Sequence, residues 1–341
     1  MKLHNAVLDK PIVSNVGEIG EFRIRNSAKA FNILSSGLYA NKIRAIIREL
    51  SCNAVDSHVA AGKSDTPFDV HLPNQLEPHF SIRDYGTGLN HEQVKNIYTT
   101  YFESTKTNSN EFIGALGLGS KSPFAVTDSF TVESIFDGKK TVYTAFRDED
   151  NFPKLAKLGV TETTERTGVK IQFPVNSNFS VYREEAIRVY KFFKVKPTTN
   201  MQLCYDLPEV IISGNKWSLH KDLSDNFAVM GNVAYPVICN AFKADDVAEQ
   251  KLLSGFSQAS GIIFHLDIGE LHIAGSRESL EYTKKSKDAI VEILKDIRSN
   301  VFEELQQSVD KQIDMYHARL FFVEKYTETK KVLKILSRMV I

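Results

Sequence analysis

The sequence predicts an α+β chain: helices laid on one sheet through about residue 175, a smaller α+β domain after it, and long helices at the C-terminus. Three observations lead there. Within residues 41–60, Ile43, Ile46, Ile47, Leu50 and Ala54 recur at a period near 3.6, which gives a helix one apolar face. Around that helix lie "FDVHL", "HFSIRD", "SFTVESIF", "KTVYTAF" and "GVKIQFPV", whose alternation and β-branched residues read as strands. From Lys287 onward, Ile290, Leu294, Ile297, Val301, Leu305 and Val309 recur every three or four positions among charges, a long amphipathic helix that covers the second domain or a partner chain. The predicted domains are therefore 1–175, 176–285 and 286–341. The helix nearest the first boundary is expected at 180–194, followed by strands that turn at "SGNK" and "MGN".

Composition narrows the function classes. A chain of 341 residues is long enough for two cores. Its longest apolar runs fall well short of a membrane span, and its first thirty residues lack the continuous apolar region of a signal peptide, so the expectation is a cytoplasmic protein. Three widely spaced cysteines fit reduced thiols and offer no metal-ligand pair. With 42 basic and 42 acidic residues, no global charge draws the chain to nucleic acid.

Polar residues inside the first helix carry the chemistry. In "RELSCNAVD", Glu49, Asn53 and Asp56 stand at i, i+4 and i+7 and share a face. Such a face ordinarily meets water. Thirty residues on, "SIRDYGTGL" runs a strand into Asp84 followed by Gly86 and Gly88, where absent side chains let a flat ligand approach a carboxylate. Alone, that pattern also describes a turn. "FIGALGLGSKSPF" then brings Gly114, Gly117 and Gly119 to Ser122 and Pro123, read as a cap and first helical turn, so that backbone N–H groups meet an anion. The Gly-Lys-Ser/Thr ending of a P-loop is missing. Lys121 in this stretch reads as a phosphate contact or a solvated lysine, and "ERTGVKIQF" sets the Thr167 hydroxyl at the mouth of a strand. The histidines show no zinc-like spacing.

In that order, "RELSCNAVD", "RDYGTG", "IGALGLGSKSPF" and "RTGVKI" resemble the motifs of the GHKL superfamily of gyrase, the ninety-kilodalton heat-shock chaperone, histidine kinases and MutL. Surface polarity accounts for any one of them but not for the ordered set. The chaperone branch is the nearer general match, through "YANKIRAIIRELSCN". More narrowly, "ILSSGLYANKIRAIIREL", "YFESTKTNSNEFIGALGLGSKSPF" and "IAGSRESL" resemble the phage rIIA lysis-inhibition proteins, from about residue 25 to 285. The better-known members are longer at the C-terminus.

The resemblance implies an α/β sandwich of the heat-shock-chaperone kind, then a transducer-like α+β domain. It implies ATP and Mg²⁺ as ligands. Asn53 would hold the ion, Glu49 would orient and deprotonate the attacking water, and Asp56 would support both. Asp84 would accept from the adenine amino group beside Gly86 and Gly88, with Thr167 assisting through a water, although the family's threonine sits one position differently. Gly114, Gly117, Gly119 and Lys121 would meet the phosphates, under a lid formed by residues 89–116. Arg277, in "ELHIAGSRESL", matches an arginine that reaches the terminal phosphate from the second domain; otherwise it is a helix-start arginine in a surface pair. The implied activity is slow ATP hydrolysis coupled to domain closure, with a homodimer and a phage or host membrane-associated protein as partners, at the inner face of the host membrane. A histidine kinase is disfavoured by Glu49 and by the lack of a phosphoacceptor helix. A topoisomerase or repair subunit would need further domains. The serious competitor is a scaffold that binds ATP without hydrolysing it.

Overall fold

In a computed structural model, residues 27–101, 117–257, 259–311, 313–317 and 319–320 are described. They build an α+β chain in two units, Met1–Tyr205 and Asp206–Ile341, each with its own mixed sheet.

The first unit opens with α1 (Ala28–Asn32) and α2 (Lys42–Ala60). Asn41 caps α2 by accepting from the Arg44 N–H at 3.0 Å, which satisfies one of the donors a helix start leaves open. Short strands β1 (Asp69–His71) and β2 (His79–Arg83) follow, then α3 (His91–Thr99). A short 3₁₀ helix at Gly119–Ala125 leads into β3 (Ser129–Phe136), β4 (Lys139–Arg147), β5 (Pro153–Glu162) and β6 (Gly168–Pro174). The unit closes with α4 (Phe179–Tyr190) and β7 (Thr198–Thr199). The sheet order is β5-β4-β3-β6-β2-β1-β7, antiparallel throughout except for the β1–β7 pair.

Alternation sets which side of this sheet meets the helices. Val70, Phe80, Ile82, Val132, Ile171 and Phe173 are buried on one face, while Asp69, Arg83, Lys170 and Glu133 line up across the other. Helix α2 is enclosed on nearly every side: Ile46, Ile47, Leu50, Cys52 and Ala54 are buried, and so are Glu49 and Asp56, at 3% and 1% exposure. The solvated-face reading of this helix therefore fails.

The predicted boundary near 175 differs from the observed division at 205/206. The reason is α4, which packs on α2. Ser51 Oγ lies 3.0 Å from Tyr190 Oη, and buried Glu185 takes Arg44 Nε at 2.5 Å and Asn41 Nδ2 at 3.1 Å. β7 then adds to the same sheet.

The second unit holds β8 (Val210–Ser213), β9 (Trp217–His220), β10 (Phe227–Met230), β11 (Val233–Pro236), α5 (Val247–Phe256), β12 (Ile262–Leu266) and α6 (Lys284–Asp310), with sheet order β11-β10-β12-β9-β8. β10 and β12 run parallel, with α5 on the path between them. Within α6, Ile290, Leu294 and Ile297 are buried as their spacing requires, and Asp296 accepts from Trp217 Nε1 at 2.8 Å, tying the helix to β9. No helix among the described residues is long and apolar enough to cross a membrane.

Candidate functional site

Helix α2 collects the motifs. At Gly119, an added Cβ would lie 2.9 Å from Glu49 Oε2 and 3.3 Å from Asn53 Nδ2, so the glycine turn sits directly over the polar face of the helix. Glu49 is held from its other side, since Oε1 accepts from Arg48 Nη2 at 3.1 Å and from Nε at 3.3 Å within a buried pair. Asn53 is half-buried, and its side chain has no hydrogen-bond partner among the described residues. Its half-buried amide is within reach of solvent, so a water or a ligand can complete its bonding.

One turn farther along α2, Ser57 carries the second motif. Its hydroxyl donates to Asp84 Oδ1 at 3.0 Å, and the Gly86 N–H donates to the same oxygen at 2.9 Å. Asp84 Oδ2 accepts the Val169 N–H at 3.2 Å. Burial nevertheless holds this carboxyl above its ordinary value, outweighing the Gly86 and Ser57 donors and the nearby His58 and Arg83. The glycines are needed for contact: a Cβ on Gly86 would fall 2.1 Å from Ser57 Oγ and 2.4 Å from Ser57 O, and one on Gly88 would fall 2.2 Å from Ile135 O. Thr167 joins the group by donating to Gly86 O at 2.8 Å. It therefore braces the loop behind Asp84. His58 braces it too, its Nε2 accepting the Tyr85 N–H at 2.7 Å while Nδ1 faces Thr66 O at 2.9 Å.

Glu49, Asn53, Asp84, Gly86, Gly88, Gly119 and Thr167 thus gather at α2 and the loops it supports, with Asp56 buried in the same helix. Gly114 lies outside the described residues, as does most of the proposed lid; the first part of that stretch is α3, whose start is fixed by a reciprocal Asn90–Gln93 capping box. The turn after the glycines also departs from expectation. It begins at Gly119, and Leu118 precedes it with no side-chain cap, while Pro123 lies inside the turn and Ser122 Oγ is buried without a hydrogen-bond partner among the described residues.

Lys121 is not solvated. It is 1% exposed, and its ammonium donates to Thr100 O at 2.6 Å and Gly117 O at 2.7 Å, carbonyls that bracket residues 101–116. Arg277 is likewise buried, at 4% exposure, but it is no helix-start residue. It occupies the left-handed region at φ 59 in a turn closed by its own N–H to Ala274 O at 2.8 Å, ahead of α6.

Ser57, Arg48, His58 and Gly168 were missed by sequence reasoning. Ser57 had a signal, because Glu49, Asn53 and Ser57 are spaced four apart on one helix face. Gly168, at φ 137, sits against Asp84 O, which a Cβ would approach to 2.1 Å. No protein-family model matches the chain, and no curated protein matches it.

Proposed function

We propose that the first unit binds ATP with Mg²⁺ and hydrolyses it slowly, as a GHKL-type ATPase. The observation that carries this reading is the Gly119 turn laid over Glu49 and Asn53, on the helix from which Ser57 also holds Asp84. Three motifs far apart in sequence meet where a nucleotide needs an acceptor at the base, an oxygen ligand near the phosphates and a carboxylate beside the attacking water.

The residues fit the implied ion. Asn53, which has no hydrogen-bond partner among the described residues, can turn its amide to offer the oxygen, a hard ligand suited to magnesium. When held by Asn53, Mg²⁺ would supply positive charge that offsets the charge of the phosphates. Asp84 would accept from the adenine amino group, while Gly86 and Gly88 leave the approach open and Thr167 keeps their backbone in place. Glu49 would accept the proton of the attacking water, with Arg48 fixing the carboxylate so that Oε2 faces the Gly119 turn. Lys121 would serve by holding Thr100 and Gly117 in register at the edge of the site.

Gly119→Ala tests the convergence. The new methyl must displace a carboxylate that Arg48 holds, so the fold should lose about 1–3 kcal/mol while hydrolysis falls several-fold; paired thermal melts and phosphate-release assays measure this. Unchanged turnover would separate the glycine turn from the chemistry.

Arg277 enters the proposal through its motif. If it contacts the terminal phosphate, Arg277→Asn, chosen because asparagine tolerates positive φ, should slow single-turnover hydrolysis by roughly a thousandfold and leave ADP affinity unchanged. Equal hydrolysis by variant and wild type removes it from the mechanism.

One observation favours the second reading, a scaffold that binds ATP without hydrolysing it. Glu49 Oε1 is already committed to a buried guanidinium, which takes part of the carboxylate's hydrogen-bonding capacity away from a water. Phosphate release by the purified chain decides between the two. The motif resemblance to phage rIIA proteins supports a setting in lysis inhibition or protection from prophage-encoded exclusion, with a membrane-associated partner. Measuring lysis timing in infected cells that lack the protein tests that setting.

A further inference from the structure

On the face of the first sheet turned away from α2, a groove of about 460 Å³ is floored by β1, β2 and β6. Strand register places Asp69, Arg83, Lys170 and Glu133 in one row across it. Arg83 and Lys170 are directly opposite one another, and like charges in that position repel. Asp69 stands opposite Arg83 and Glu133 opposite Lys170, but neither acid forms an ion pair with these cations among the described residues. Asp69 Oδ2 accepts the Tyr85 hydroxyl, and Glu133 Oε2 pairs with Lys140 Nζ at 2.9 Å. Among the described residues, Arg83 donates to two neutral carbonyls, Asp84 O at 2.8 Å and Arg166 O at 2.6 Å. Lys170 has no hydrogen-bond or ion-pair partner among the described residues. Ser81, 6% exposed on the same face of β2, makes no side-chain hydrogen bond among the described residues, and Thr198 also lines the groove.

We propose that this groove binds a small phosphomonoester that carries hydroxyl groups, with the phosphoryl group between Arg83 and Lys170. The lining carries as many carboxylates as cations, but Arg83 and Lys170 are adjacent and make no ion pair among the described residues, so they can both meet one phosphoryl group, and a phosphomonoester carries about two negative charges near neutral pH where a carboxylate or a phosphodiester carries one. The groove is larger than a phosphoryl group needs. Its remaining polar wall, Ser81, Thr198 and the Asp69 carboxylate, offers partners to the hydroxyls of a sugar-like body. The inference does not rest on the nucleotide reading, since these side chains line the face of the sheet turned away from α2; Arg83 also donates to Asp84 O, so the variants are made at Lys170.

Calorimetric titration of the full chain with ribose 5-phosphate and with inorganic phosphate, each with and without saturating ADP, tests it. Ribose 5-phosphate should bind equally well in both conditions and more tightly than inorganic phosphate. Lys170→Met should weaken it about tenfold or more, Lys170→Arg should restore it, and ADP affinity should change in neither. Because the Lys170 side chain makes no hydrogen bond or ion pair among the described residues, both variants should melt close to the wild type. Absence of binding by the wild type, loss of binding when ADP is present, equal affinity for inorganic phosphate, or unchanged affinity in Lys170→Met would each overturn the assignment. Failure of ADP to bind would sink the ATPase reading and leave this result standing.

Discussion

Replacing Glu49 with glutamine is expected to leave ATP affinity within a few-fold and to slow hydrolysis by about 100-fold or more, the scale on which a general base contributes. Glutamine is the better replacement for a structural reason. Glu49 and Arg48 form a buried pair at 3.1 Å, and removing one partner of such a pair costs about 3–5 kcal/mol. Alanine would therefore mix lost chemistry with lost stability. Glutamine keeps the volume and an oxygen for Arg48, but it cannot take a proton from water. The measurement is single-turnover phosphate release beside a nucleotide titration and a thermal melt. If glutamine hydrolyses ATP at the wild-type rate, Glu49 is not the base; if neither protein hydrolyses it, the scaffold reading is the right one.

How much of this was legible in the sequence depended on which surroundings each residue answers to. β3 was read at its observed limits, Ser129–Phe136, because Phe130 and Val132 alternate with less buried neighbours, a period that lapses only at its end, where Ser134 and Ile135 are both buried. β5 was not read at all. It is the edge strand, and from Lys157 to Glu162 its residues are exposed, so "KLGVTE" has no inward face to impose a period. α5 was hidden among strands although Asp246 caps it, accepting the Glu249 N–H at 2.8 Å. The site shows the same division. Glu49, Asn53 and Asp84 could be chosen by chemistry and spacing, but their burial could not, because a polar helical face looks alike in sequence whether water or a glycine turn covers it. Lys121 is the clearest case: only the fold brings Thr100 O and Gly117 O within reach of its ammonium.

Asp84→Asn should weaken nucleotide binding by roughly 1.5–3 kcal/mol, the scale of a hydrogen bond to a charged group. Ser57 and the Gly86 N–H already occupy Oδ1, and the Val169 N–H approaches Oδ2, so the carboxylate is surrounded by donors. Asparagine can present its oxygen to one side only; its amide nitrogen must then meet either a backbone N–H or the adenine amino group. The proton balance supplies a separate check. Burial holds the Asp84 carboxyl above the ordinary value of 3.8, so the folded state keeps this proton more tightly than the unfolded chain does. The stabilisation that this proton gives is present below the unfolded value and is lost as pH rises through the folded one. A bound adenine amino group adds a donor to the carboxylate and favours its ionised form. Wild-type binding should therefore release protons within that window and tighten as pH rises through it, and Asp84→Asn should show neither effect. Calorimetry in buffers of different ionisation enthalpy reads the protons directly. Wild-type affinity in the asparagine variant, or the same proton release from it, would place the base somewhere other than Asp84.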